Sequence, residues 1–320
     1  MDHSSRREAM MQKLRVRDLH LLIEIARCRS LSAVAEEIGS NQPAVSRWLK
    51  DIETTFGTPL FDRDRASGMR PTPVGTLVLV RARTMLADIA ALSSEVEAFT
   101  LGVGGNIRLG IIPFVSGALV KSVVLELVGP PHQMTVTMAE GSTDGLLIAL
   151  RQHDLDAVIG RLQAPGASDA SDLHAEILLR QKACLVAHQD HALAKQGRCD
   201  FADLREQLWV LPPTGSPTRL AINQAFAVAR LPTPSASIET SSPRTIYDVV
   251  RERTDMLAIV PAEIGHDLER LGGVRSLRFP GEFALPPVAL LTLADRQELP
   301  YVRTLRHCLR RTISRGLPLG

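Results

Sequence analysis

Between Ser30 and Glu53 the chain reads SLSAVAEEIGSNQPAVSRWLKDIE, two stretches of helical spacing broken by Gly39 and, four residues on, by Pro43. Few folds accept that punctuation. Ser32 can cap a short helix through Ala33, Val34, Ala35 and Ile38, and Gly39 supplies the turn that stops it. Pro43 suits the first turn of a second helix, where its missing N–H costs nothing and its fixed φ helps, and Asn41 before it can cap. Two short helices joined by a tight glycine turn make a helix-turn-helix.

The second helix has a face for each solvent. Val45, Leu49, Ile52 and Phe56 recur at helical spacing and point to a core. Rotation of about 100° per residue puts Pro43, Ser46, Arg47 and Lys50 on the opposite side. Two cations and a hydroxyl there suit phosphates and base edges in a major groove; an ordinary solvated face is the competing reading. Ser32, Asn41, Gln42, Pro43, Ser46, Arg47 and Lys50 are the candidate contacts. The following GTPLFDRDRASGMRPTPVG adds Arg63, Arg65 and Arg70 in a Gly/Pro-rich connector. Its ends, Leu60–Phe61 and Pro71–Val74, read as a small wing able to reach phosphate or a minor groove.

Bulk composition limits the alternatives. The 320 residues carry a net charge of +2, so overall charge does not announce nucleic acid. The local balance is more telling: Arg47, Lys50, Arg63, Arg65, Arg70, Arg81 and Arg83 face only Asp51, Glu53, Asp62 and Asp64 in residues 41–83. The first ten residues are polar, with no apolar leader after them, and no apolar run approaches the roughly 20 residues of a membrane helix. Cys28, Cys184, Cys199 and Cys308 are scattered, which points to a reducing cytoplasm. Cys184 and Cys199 remain open as a redox pair.

From Gly75 to Leu101 no internal glycine or proline interrupts an apolar-rich helix, whose surplus of apolar positions makes it a candidate dimer coil. GVGG at 102–105 reads as a hinge. Beyond it strands and helices alternate, β-α-β-α-β, as in a parallel sheet. In such sheets ligands sit at the carboxyl ends of strands, near helix N-termini. Four such places occur. Pro113, Phe114 and Ser116 follow one strand, Ser142 and Thr143 a second, Thr214, Ser216 and Arg219 a third, and Thr240 and Ser241 a fourth. Arg161 at the crossover adds a charge. Each hydroxyl alone reads more readily as a helix cap than as a ligand contact; the set of four places favours a ligand cleft for a polar or anionic metabolite.

The spacing of Ser30-Leu31, Ala33, Ala35, Ile38, Ser40 to Ser46, Leu49, Ile52-Glu53, Gly57, Leu60-Phe61, Arg63, Thr72-Pro73 and Gly75 resembles the LysR-type transcriptional regulators. DLDAVIG at 154–160, HALA at 191–194 and LAIVP at 257–261 are similar to weaker landmarks of that family's effector domain. The resemblance implies an α/β protein with an all-α winged helix-turn-helix at its N-terminus. A linker helix would lead to a periplasmic-binding-protein-like effector domain of two α/β subdomains. The corresponding boundaries are 1–74 for DNA binding, 75–105 for the linker helix and hinge, 106–161 with 282–320 for subdomain I, and 162–281 for subdomain II. It further implies double-stranded promoter DNA, a small-molecule effector and a second copy of the chain, as dimer or tetramer, as partners. RNA polymerase joins them if the protein activates, and no cofactor or membrane is expected. Trp48 departs from the family's usual polar residue and reads as packing against the first helix. Ala192 replaces a proline common in its turn.

Three other readings remain: a solute-binding protein of similar fold, a redox-sensing regulator using Cys184 and Cys199, and an enzyme. The last is weakly supported, since GVGG follows a helix rather than a strand and no P-loop or H-E-x-x-H occurs. His188 and His191 share a polar turn without a discernible third ligand.

Overall fold

The computed structural model describes residues 12–64, 68–101, 104–161, 171–196, 199–280 and 283–315. Its contacts divide the chain into two compact units at Glu97/Ala98.

The first unit begins with α1 (Val16–Cys28), α2 (Leu31–Glu37) and α3 (Gln42–Phe56). Leu22, Ile25, Val34 and Val45 are completely buried where these helices meet, with Leu49, Ile52 and Leu60 beside them. The cap of α2 is Ser30, whose hydroxyl accepts from the Ala33 amide at 3.4 Å. This corrects the assignment of that role to Ser32, which is the second residue of the helix and exposed. Leu31 is buried and has to start the helix to reach the core, so the extended capping position falls one residue earlier. Gly39 turns the chain at φ +65°. Asn41 caps α3, accepting from the Ala44 amide at 2.9 Å.

The wing is an antiparallel pair, β1 (Phe61–Asp64) with β2 (Gly68–Pro71). It sits earlier than the expected pairing, because residues 73 and 74 already belong to α4 (Pro73–Leu101). Gly75 explains how α4 starts: a Cβ there would lie 1.9 Å from the Leu60 carbonyl oxygen. Only glycine permits that approach.

The second unit holds two five-stranded sheets. In the first, β3 (Asn106–Ile111), β4 (Thr135–Glu140) and β5 (Ala157–Arg161) run parallel, alternating with α5 (Gly117–Val128) and α6 (Thr143–Arg151). The sheet order is β4-β3-β5-β12-β6, with β6 (Leu173–Leu179) and β12 (Val288–Leu293). The second sheet uses β7 (Ala183–His188), β8 (Leu208–Leu211), β9 (Ala236–Glu239), β10 (Met256–Pro261) and β11 (Val274–Arg278), in the order β11-β7-β10-β8-β9. The helices α7 (Ala192–Gln196), α8 (Pro217–Val228), α9 (Pro243–Glu252) and α10 (Ala262–Arg270) connect its strands, and α11 (Pro300–Ser314) closes the described chain.

The subdomain boundary expected at 161/162 moves. β6 pairs antiparallel with β12 in the first sheet, so the second subdomain begins near Ala183. The two crossover segments lie side by side: the Leu285 amide donates to the Gln181 carbonyl at 3.0 Å and the Ala183 amide to the Phe283 carbonyl at 3.1 Å. No helix among the described residues is long and apolar enough to cross a membrane.

Candidate DNA-reading face and effector cleft

On α3 the outward face is as helical geometry requires. Val45, Leu49 and Ile52 are buried, while Pro43, Arg47 and Lys50 are exposed and Ser46 and Gln42 half-buried. Arg47 leans back along the helix, its Nε donating to the Pro43 carbonyl at 3.4 Å. Neither Arg47 nor Lys50 has an ion-pair partner among the described residues. Arg70 is exposed on β2, opposite Asp62 in the ladder. Arg65 lies outside the described residues, and of Arg63 only the backbone, in β1, is described.

Two residues that hold this face escaped the list of candidates. The indole of Trp48 packs on α1, as read from sequence, and its Nε1–H donates to Asp18 Oδ1 at 2.8 Å. The Arg17 guanidinium lies 5.0 Å above the ring, a cation–π contact. Asp18 is buried, and its Oδ2 accepts from the Arg15 amide at 2.8 Å. One carboxylate thus closes the N-terminus of α1 and ties α3 to it. Glu53 Oε1 accepts from the amides of Leu60 and Phe61 at 2.8 and 3.2 Å, fixing where the wing leaves α3.

In the second unit a cleft of about 580 Å³ opens where strand ends meet helix N-termini. It gathers Pro113, Phe114, Ser142, Thr143, Arg161, Thr214, Ser216 and Ser241 from the sequence candidates. Ile112, Gly141, Asp144, Pro212, Pro213, Gly215, Pro217 and Thr218 join them. The Ser142 hydroxyl caps α6, accepting from Gly145 N at 3.2 Å, and the Ser216 hydroxyl caps α8, accepting from Arg219 N at 3.2 Å. Capping uses the oxygen as acceptor; each O–H still has a proton to donate. Cap and ligand contact are therefore compatible roles.

Three candidates do not line this cleft. Ser116 is buried and caps α5, accepting from Ala118 N at 3.2 Å. The Thr240 hydroxyl accepts from Ser242 N at 3.1 Å. Arg219 is turned inward: it donates to the carbonyls of Pro212 and Pro234 at 3.1 and 3.2 Å, to Asn223 at 3.2 Å and to Glu239 at 3.2 Å. Glu239 also accepts from the Thr214 hydroxyl at 2.7 Å. Those contacts hold the carboxylate of Glu239 below its ordinary pKa range, the Thr214 hydroxyl contributing most.

Arg161 is the cation among the described residues that line the cleft. It is 2% exposed. Its Nη1 donates to the Pro286 carbonyl at 2.5 Å and its Nη2 to Gln181 Oε1 at 2.7 Å, so it grips both crossover segments. Gln181 in turn donates to Glu263 at 3.2 Å. Nε is buried without a hydrogen-bond partner. Burial pushes the guanidinium down to about 10, with Glu263 opposing; it remains a cation at neutral pH, satisfied by neutral oxygens only.

The redox reading fails on placement. Cys184 belongs to the cluster around Val186, Ile246 and Val260, whereas Cys199 packs against the cluster of Leu185, Trp209 and Phe226 on the other face of the sheet. Burial pushes both thiols up to about 11, where they are poor nucleophiles.

Residues 16–76 match the bacterial regulatory helix-turn-helix of the lysR family, and residues 101–314 match the LysR substrate binding domain. The chain belongs to the LysR family. It is a DNA-binding transcriptional regulator with an effector-binding C-terminal domain. GbpR of Azospirillum brasilense is 28% identical over 93% of this chain and 86% of its own length. GalR of Pseudomonas putida is 29% identical over 93% of this chain and 74% of its own. The fold matches a full-length OxyR variant from Pseudomonas aeruginosa with a TM-score of 0.65, at 21% identity over 93% of this chain and 95% of that one. It also matches full-length CbnR complexed with its target DNA, with a TM-score of 0.64 at 17% identity over 93% and 100% of the two chains.

Proposed function

We propose that this LysR-family regulator reads promoter DNA with the Asn41–Lys50 face of α3, flanked by Arg70 on the wing, and that its effector is a small anion. The observation that supports the anion is Arg161. A buried guanidinium hydrogen-bonded to neutral oxygens, with the Glu263 carboxylate acting on it only from beyond Gln181, is partly compensated, and a closer counter-charge lowers the cost of burying it. The N-termini of α6 and α8 add the positive ends of two helix dipoles, and Phe114 and the prolines supply apolar walls. The carboxylate of Asp144 at the rim sets the limit: a second negative group on the ligand has to point away from it. Because Arg161 holds both crossovers, a ligand that draws it inward shifts the angle between the two subdomains.

The chain is proposed to act as a dimer or tetramer built on α4. Met85, Ile89, Leu92 and Val96 are all exposed there, and their four-three-four spacing is that of a coiled-coil seam. A cytoplasmic location and, for an activator, a contact with RNA polymerase complete the reading, which gives the chain no catalytic step.

The test is thermal stabilisation of the full chain by a panel of small carboxylates, their neutral amides and inorganic phosphate, followed by gel shifts on its own upstream DNA. A carboxylate that stabilises the protein and alters its DNA complex while its amide does neither is the expected result, and Arg161→Met should abolish the difference. Equal stabilisation by acid and amide rejects the anionic effector.

A further inference from the structure

Away from the cleft, three side chains of differing donor chemistry converge where α5 meets α11. Glu126 stands on α5, His132 in the connection to β4, and Cys308 on α11. One carboxylate oxygen, one ring nitrogen and the sulfur lie within 4.8 Å of one another. We propose that Glu126, His132 and Cys308 bind a borderline divalent cation of the zinc type and so fasten the last helix to α5.

The donor set selects the metal. Thiolate, imidazole and carboxylate together suit zinc, whereas magnesium and calcium want oxygens throughout. Tetrahedral zinc holds its ligand atoms roughly 3.3–3.8 Å apart, given bonds of about 2.0–2.3 Å. Loading therefore needs the widest pair, at no more than 4.8 Å, to close by at most about 1–1.5 Å. Three protein ligands leave the fourth position for water.

Charge also fits. Glu126 is largely buried, and its Oε1 lies 2.6 Å from Arg311 Nη2 without a hydrogen bond of good geometry. The Cys308 side chain is completely buried, its S–H proton with it. The cation displaces that proton to solvent, forming a metal–sulfur bond as the S–H bond breaks. Two positive charges then meet one carboxylate and one thiolate, so the loaded cluster is neutral, as a largely buried site prefers. Arg311, whose side chain is 42% exposed, turns outward when the metal replaces it. His132, half-buried, is the entry side.

The experiment uses the full chain in metal-free buffer. Zinc affinity is measured by competition with a chromophoric chelator. Cobalt(II) is the optical probe, since a thiolate ligand gives a near-ultraviolet charge-transfer band. Wild type should bind one equivalent, release one proton and show the band. Cys308→Ser should lose the band, and Glu126→Gln and His132→Gln should each weaken zinc by at least about tenfold, the loss that even outer-sphere partners cause. Cys28→Ser is the control for a second cluster, Glu24, Cys28 and Glu37; it should change nothing. A wild type that takes no zinc from the chelator overturns the proposal, as does a band that survives Cys308→Ser or vanishes in Cys28→Ser. If Cys308→Ser fails to fold, unchanged zinc affinity in both Glu126→Gln and His132→Gln overturns it instead.

Discussion

Asp18→Ala removes both bonds made by one carboxylate. The lost acceptor at the start of α1 costs about 1 kcal/mol. The Trp48 indole N–H, part-buried at 2.8 Å from Asp18, is left without its partner, for a further ~1–3 kcal/mol. Together the junction of α1 and α3 loses about 2–4 kcal/mol. At 1.4 kcal/mol per decade its opening equilibrium rises by about 30- to 700-fold. Hydrogen exchange resolved by peptide reads this directly, because local opening sets amide protection. Peptides from 42–56 should exchange faster by that factor, and peptides from the second unit should not change. Specific DNA affinity should fall with the same variant, since α3 can dock only when its axis is held. Protection over 42–56 within threefold of wild type refutes the argument that the Asp18–Trp48 bond sets α3.

Three more outcomes are expected. Lys50→Ala should weaken binding to specific and scrambled duplexes alike and make the salt slope shallower by about one unit, whereas Arg47→Ala should cost about 1–3 kcal/mol mainly on the specific site; equilibrium binding at several salt concentrations separates them. Gly75→Ala should destabilise the first unit, because its Cβ meets the Leu60 carbonyl at 1.9 Å; an unchanged first melting transition contradicts that. Ile89→Asp with Leu92→Asp should lower the oligomer by light scattering without loss of helicity, and an unchanged mass means the seam lies elsewhere.

The parts of this fold that were legible in sequence are those written locally. Gly39 and Pro43 mark the helix break because backbone geometry leaves them few other uses, and the α3 face follows from rotation alone. Four of the cleft loops were visible because strand ends and capping hydroxyls are adjacent in the chain. What escaped depends on distant partners. β6 belongs to the first sheet only because β12, more than a hundred residues later, runs beside it. Arg219 looks like a ligand cation until Glu239 and the carbonyls of Pro212 and Pro234 occupy it. The grip of Arg161 on Gln181 and Pro286 likewise has no signature in either stretch.

The strand order of the first sheet has a consequence for how the chain is made. β12 stands between β5 and β6, so β6 has no neighbour in that sheet until residues 288–293 have been synthesised. Every strand of the second sheet lies within 183–278. During vectorial synthesis, with domains folding as units as they emerge, the later-numbered subdomain is complete first and the earlier one waits for it. A nascent chain that has emerged from the ribosome as far as about residue 280 thus carries a finished second sheet and an exposed, half-built first one. That stretch of translation is where the nascent chain most needs a chaperone.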